Sequence, residues 1–105
     1  MAARNINKNE FELLIHGEKP VLVDFWAPWC SYCRRIENAY QKVAENFSQQ
    51  AEIVKVNIDD EPLLAQQERI EVIPTLVLYK NGQAVDSIVA PESKAKIEEF
   101  LLKNL

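Results

Sequence analysis

The sequence predicts an α/β fold, a central mixed sheet of four to five strands flanked by helices on both faces. Three observations carry that expectation. Apolar runs at 20–27 and 52–58 are each followed by a segment with helical character, which is how strands joined by crossover helices read. A further run at 75–80 meets another at 83–90 across Asn81-Gly82, the strongest short hairpin signal. Right-handed crossovers then make the first two strands parallel, and the hairpin adds an antiparallel edge.

In chain order, residues 8–16 read as a short helix capped by Asn7, with Phe11, Leu14 and Ile15 at helical spacing and Gly17 as the stop. His16 falls in its last turn, as a surface residue suited to the negative end of the dipole. The run 20–27 is too continuously apolar for a strand with one wet face and fits a central strand covered on both sides. Asp24 shares a face with Leu22 and Trp26. It is expected in a covered layer with a raised pKa, unless the sheet is open just there.

Residues 31–49 form the longest predicted helix, with Cys33, Ile36, Tyr40, Val43, Ala44 and Phe47 in one apolar stripe and charged residues opposite. In the next strand Val54, Val56 and Ile58 face one side, and Ile53, Lys55 and Asn57 the other. Solvation is the common fate of a lysine such as Lys55. Helix-start chemistry at 59–62 predicts a helix over 61–69, and Ser93 caps a final helix with Ile97, Phe100 and Leu101 inward.

Length and composition set outer bounds. The 105 residues suit one domain spanning 1–105, with no linker or internal repeat. A composition 48% hydrophobic and 27% charged allows a core, and a net charge of -4 without a basic block makes nucleic acid an unexpected partner. No apolar run approaches the roughly 20 residues of a membrane span, and residues 1–7 lack the apolar stretch of a leader. A cytoplasmic location is expected, an exported one if a leader has been removed. A monomer is expected, because each apolar stripe can be buried internally.

The chemistry concentrates in Trp29-Cys30-Ser31-Tyr32-Cys33, which holds both cysteines. Two thiols separated by two residues, where a strand turns into a helix, can close a small disulfide and reopen it without unfolding the chain. Plainer readings compete. As a staple, a four-residue ring removes only roughly 2 kcal/mol of unfolded-state entropy. A zinc site wants four Cys or His ligands, and the other candidate, His16, is not spaced as part of a pair. An inert buried pair needs no particular spacing or helix start. No metal or other cofactor is expected. A helix beginning at about Ser31 places Cys30 at its N-cap, where unpaired N–H groups, the dipole, Arg34 and Arg35 favour a thiolate. Cys30 is therefore the expected nucleophile, and Cys33, facing inward one turn later, the resolving thiol.

The segments Asp24-Phe25-Trp26-Ala27-Pro28-Trp29-Cys30-x-x-Cys33, Val56-Asn57-Ile58-Asp59, Ile73-Pro74-Thr75 and Tyr79-Lys80-Asn81-Gly82 together resemble the thioredoxin family along nearly the whole chain. The resemblance implies a thioredoxin fold and reduction of protein disulfides through Cys30 and Cys33. It implies that Asp24 lies buried behind Cys33 and assists its proton transfer, with Lys55 nearby, and that Pro74 follows a cis bond beside the cysteines. The residues alone also allow a trans strand-entry proline at 74. By the same resemblance the backbone of Ile73 pairs with an extended substrate segment, and Trp29, Ile73 and Pro74 form an apolar rim. Ser31, Tyr32, Val72 and Ala90 complete the expected substrate surface. Disulfide-containing proteins and a thioredoxin-reductase-type electron donor are the implied partners.

Several positions depart from the family pattern. Ser31-Tyr32 replaces Gly-Pro between the cysteines. Asn38 stands where the family has a helix proline, predicting a less kinked helix. Val72 and Ala90 replace a small residue and a glycine, predicting a bulkier rim. Alternatives to a dithiol reductase are a disulfide isomerase or oxidase of exported proteins, a glutathione-linked glutaredoxin-like enzyme, and a non-catalytic thioredoxin-fold binding subunit.

Overall fold

The computed structural model describes residues 2–105. Its elements run α1 (Lys8–Ile15), β1 (Val21–Trp26), α2 (Ser31–Arg35), α3 (Glu37–Asn46), β2 (Glu52–Asn57), α4 (Pro62–Gln67), β3 (Thr75–Lys80), β4 (Gln83–Val89) and α5 (Lys94–Asn104). The sheet order is β2-β1-β3-β4, with β1 parallel to β2 and antiparallel to β3, and β3 antiparallel to β4. The continuously apolar run is thus a central strand, hydrogen-bonded on both edges. Among the described residues no helix is long and apolar enough to cross a membrane.

Alternation along β1 sends its side chains into two separate cores. Leu22 packs with Tyr40, Val43, Ile97, Phe100 and Leu101 from α3 and α5. Val21, Val23 and Phe25 pack with Phe11, Ile15 and Leu64 from α1 and α4 on the other face. Each such fully buried side chain contributes about 1.5–3 kcal/mol. Tyr40 ties its layer to the sheet, because its buried hydroxyl lies 2.7 Å from the Val54 carbonyl and 3.2 Å from that of Leu22.

Local chemistry fixes the element ends. Asn7 and Glu10 form a reciprocal capping box at α1, and Ser93 caps α5. His16 is exposed at the C-cap of α1, its Nδ1 2.9 Å from the Glu12 carbonyl. Asn81 and Gly82 take φ of 54° and 82°, as a two-residue hairpin turn requires. A Cβ at Gly82 would also meet the exposed His16 ring at 2.8 Å, which would have to shift, on top of the strain at this φ.

Two expectations about helices need correction. The segment predicted as one helix over 31–49 breaks at Ile36, whose ψ of -1° ends α2 before α3 begins, and α3 stops at Asn46. The helix therefore breaks at Ile36 with Asn38, and no proline, at position 38. The break follows tertiary demands: Ile36 is buried in the core beside Tyr40, while Glu37 is turned toward β2. The helix predicted over 61–69 closes at Gln67, because Arg69 enters the left-handed region at φ 58°. There the Ile70 N–H bonds the Ala65 carbonyl and the Arg69 N–H bonds that of Gln66, the paired bonds of a Schellman stop.

Candidate active site

Cys30 and Cys33 form a disulfide, with Cα atoms 5.3 Å apart. The strand-to-helix turn accounts for the pairing: Cys30 is the N-cap of α2, and its Sγ accepts from the Cys33 N–H at 3.1 Å. Both are largely covered, Cys30 at 9% exposure and Cys33 at 3%. Arg34 donates from Nη1 to the Pro28 carbonyl at 2.7 Å, and the Arg35 guanidinium lies 5.9 Å from the Tyr32 ring centre.

The outer side of the pair is apolar and open. Trp29 is 65% exposed, and its Nε1 donates to both carboxylate oxygens of Asp59 at 3.2 and 3.1 Å, which fixes the indole beside the cysteines. Val72 is exposed, Ile73 half-buried and Pro74 buried, and the Ile73–Pro74 bond is cis. The Ile73 carbonyl oxygen lies 4.0 Å from Cys30 Sγ. Two bonds hold this loop: Thr75 Oγ1 donates to the Val72 carbonyl at 2.6 Å, and the Ala90 N–H to that of Pro74 at 2.9 Å. Ala90 adopts φ 46°, a left-handed geometry that suits glycine and strains alanine.

Ser31 is exposed, whereas Tyr32 is only half-exposed. The Tyr32 hydroxyl donates to the Pro91 carbonyl at 3.1 Å, joining the residues between the cysteines to the loop after β4. The Tyr32 side chain, part of the expected substrate surface, is thus partly spent on this internal tether.

The inner side is charged. Asp24 is buried in the sheet with both carboxyl oxygens lacking a hydrogen-bond partner among the described residues. Its pKa is pushed up to about 7, chiefly by burial, which Lys55 opposes and the Glu37 charge reinforces. Lys55 stands opposite Asp24 in the β1–β2 register. Solvation, the common fate of a lysine, does not hold for Lys55: it is buried, its ammonium 4.2 Å from the Trp26 ring centre and 2.9 Å from Glu37 Oε2. A cavity of about 240 Å³ behind the disulfide is lined by Trp26, Cys33, Arg34, Glu37 and Lys55.

The fold thus brings Ile73 against Cys30, which Trp29 directly precedes, and places Cys33 on one cavity with Lys55. Residues at the site that were not anticipated from the sequence are Glu37, Asp59 and Pro91. Glu37 carries a legible signal, since it lies four positions after Cys33 and so on the same helical side. Asp59 and Pro91 act through contacts 30 and 59 residues away along the chain, which no local pattern contains.

Comparison with known proteins agrees with this geometry. The thioredoxin family model matches residues 2–103. Thioredoxin 1 of Synechococcus elongatus is 45% identical over 92 residues, covering 88% of this chain and 86% of that protein. Thioredoxin 1 of a Nostoc species is 38% identical over 105 residues, covering 99% and 98%. The crystal structure of Malassezia sympodialis thioredoxin superposes with a TM-score of 0.89 at 30% identity, over 97% of this chain and 90% of that one. With that match over the full sheet and a disulfide at the turn into α2, the chain belongs to the thioredoxin family and is a thiol-disulfide oxidoreductase.

Proposed function

We propose that the chain reduces protein disulfides with Cys30-Ser31-Tyr32-Cys33 as its active-site sequence, Cys30 attacking and Cys33 resolving. The observation that carries this division is the asymmetry of the disulfide. Its outer sulfur accepts an N–H at a helix start beside an exposed apolar rim, and its inner residue lines a charged cavity. An N–H aimed at sulfur stabilises a thiolate, the attacking species.

In the forward direction the Cys30 thiolate attacks one sulfur of the substrate disulfide. That bond breaks, its electron pair leaves on the second substrate sulfur, and a mixed disulfide remains. Cys33 then gives its proton to the Asp24 carboxylate and attacks Cys30 Sγ. The Cys30–Cys33 bond closes as the first substrate sulfur leaves as a thiolate and takes a proton from solvent. Two electrons pass from the dithiol to the substrate. A carboxyl poised near pH 7 suits this exchange, because it takes and returns a proton with little bias at neutral pH.

Trp29, Val72, Ile73 and Pro74 receive the substrate, with the Ile73 backbone as the edge on which an extended segment pairs. Ser31 and Ala90 flank that edge, and Tyr32 positions it through Pro91. A thioredoxin-reductase-type protein returns the electrons, and a reducing compartment such as the cytoplasm keeps the thiols charged.

The reduction potential of the pair tests the direction, with the fluorescence of Trp26 and Trp29 read across a thiol-disulfide buffer series. A value near about -270 mV, as for thioredoxins, is expected. A value between about -180 and -120 mV would assign the protein to isomerisation or oxidation instead.

A further inference from the structure

Behind Cys33 stands a carboxylate that the exchange just described does not use. Glu37 Oε2 accepts from Lys55 Nζ at 2.9 Å and from Gln41 Nε2 at 3.0 Å. Gln41 is itself clamped, its side-chain amide bonded to both the N–H and the carbonyl of Ala3 at 2.7 and 3.0 Å. On its other side the Lys55 ammonium rests against the Trp26 ring, whose Nε1 donates to Asn5 Oδ1 at 2.7 Å. The cation is thus held from two directions, and neither hold comes from Asp24.

One cation here has two carboxylates to choose between, and desolvation decides the choice. The Glu37 side chain keeps 35% of its surface exposed, whereas Asp24 is buried at 1%. Ionising the wetter carboxylate costs less, so Glu37 takes the charge and the cation.

We propose that Glu37 is a positioning residue for the resolving step: it anchors Lys55 away from Asp24 and so preserves Asp24 as the proton acceptor for Cys33. The inference rests on the redox reading of Cys30 and Cys33 and deepens it. The charged and titratable groups that act on Asp24 are Lys55 from β2 and Glu37 and Tyr40 from α3; Cys33 and Arg34 from α2 line one cavity with Lys55 and Glu37, while β3 opposes Asp24 with Leu76. Tyr40 is buried and stays protonated, its pKa raised by burial, so it does not enter the exchange.

If Glu37 lost its charge, Lys55 would be free to turn toward Asp24 and hold it as a carboxylate. A carboxylate paired with an ammonium is a weaker base, and the Cys33 proton would move to it less readily.

The test follows the Asp24 carboxyl by carbon-13 NMR in the oxidised protein, across neutral pH, in wild type, Glu37→Gln, Lys55→Met and the double variant. Glu37→Gln is expected to lower the Asp24 midpoint by about one pH unit or more. The same substitution in the Lys55→Met background is expected to lower it by clearly less. An unchanged midpoint in Glu37→Gln overturns the proposal. Equal shifts with and without Lys55 also overturn it, since Glu37 would then act by its own charge alone. Should Glu37→Gln fail to fold, Gln41→Leu loosens the same anchor without removing a charge and is expected to shift the midpoint downward; no shift there overturns the proposal too. This titration needs no turnover, so it stands apart from failure of the reductase reading, which absence of insulin disulfide reduction by the wild type would report.

Discussion

Cys30 and Cys33 are three residues apart and bonded to each other, yet they face opposite physical worlds. Around Cys30 the neighbours are apolar: Ala27 and Ile73 pack against it, and the exposed Trp29 directly precedes it at the turn into α2. Behind Cys33 lies a half-enclosed cavity where a lysine, a glutamate and the ring of Trp26 converge, with a buried aspartate beside that lysine. The proposed docking side is the outer one, whose apolar surface stays exposed and is held in place by bonds to Asp59 and Ala90. The proposed proton-handling side is the inner one, where burial raises one carboxyl into the neutral range.

Breaking the inner side should have the largest effect. Cys33→Ser removes the resolving thiol, so multiple turnover of insulin disulfides should cease and a mixed disulfide with substrate should accumulate, visible by intact mass. Sustained turnover would remove the division of roles.

Asp24→Asn comes next, with two outcomes of opposite sign. Resolution should slow by about a hundredfold near neutral pH, the scale of a lost general acid-base group. Stability should move the other way. The folded-state pKa is raised above the unfolded value, so the Asp24 contribution is full below about pH 4 and is lost as pH rises through about 7. Urea melts at about pH 8 should therefore show the asparagine variant more stable by up to about 4 kcal/mol, with the gap closing toward pH 4.

On the outer side, Trp29→Ala should raise KM for protein disulfides about tenfold, the effect of losing one exposed aromatic anchor. Stability should change little, since 65% of the residue is already in water. The smallest effect belongs to Ala90→Gly. Relief of the left-handed strain at φ 46° should stabilise the protein by about 0.5–1 kcal/mol in the same melts.

The two sides also differ in how far the sequence revealed them. The central strand was legible because burial on both faces leaves a continuous apolar run, and the hairpin because Asn81-Gly82 suits φ values few other pairs accept. The Cys-x-x-Cys spacing and the anomaly of Asp24 in an apolar strand pointed to the site. What escaped was set by partners far along the chain. Lys55 reads as a solvated lysine until Glu37, 18 residues earlier, supplies its counter-charge. The break at Ile36 carries no proline or glycine, and comes from fitting Ile36 into the core while aiming Glu37 at β2. Arg69 ends α4 in a conformation usually given to glycine, so the stop had no residue signature.

The most direct test of the two-sided account is alkylation of the reduced protein with limiting iodoacetamide near neutral pH, followed by peptide mapping. The label should fall on Cys30, with Cys33 reacting only at distinctly higher pH. Equal labelling of both sulfurs, or preference for Cys33, would contradict the assignment of attack to the outer sulfur and proton handling to the inner one.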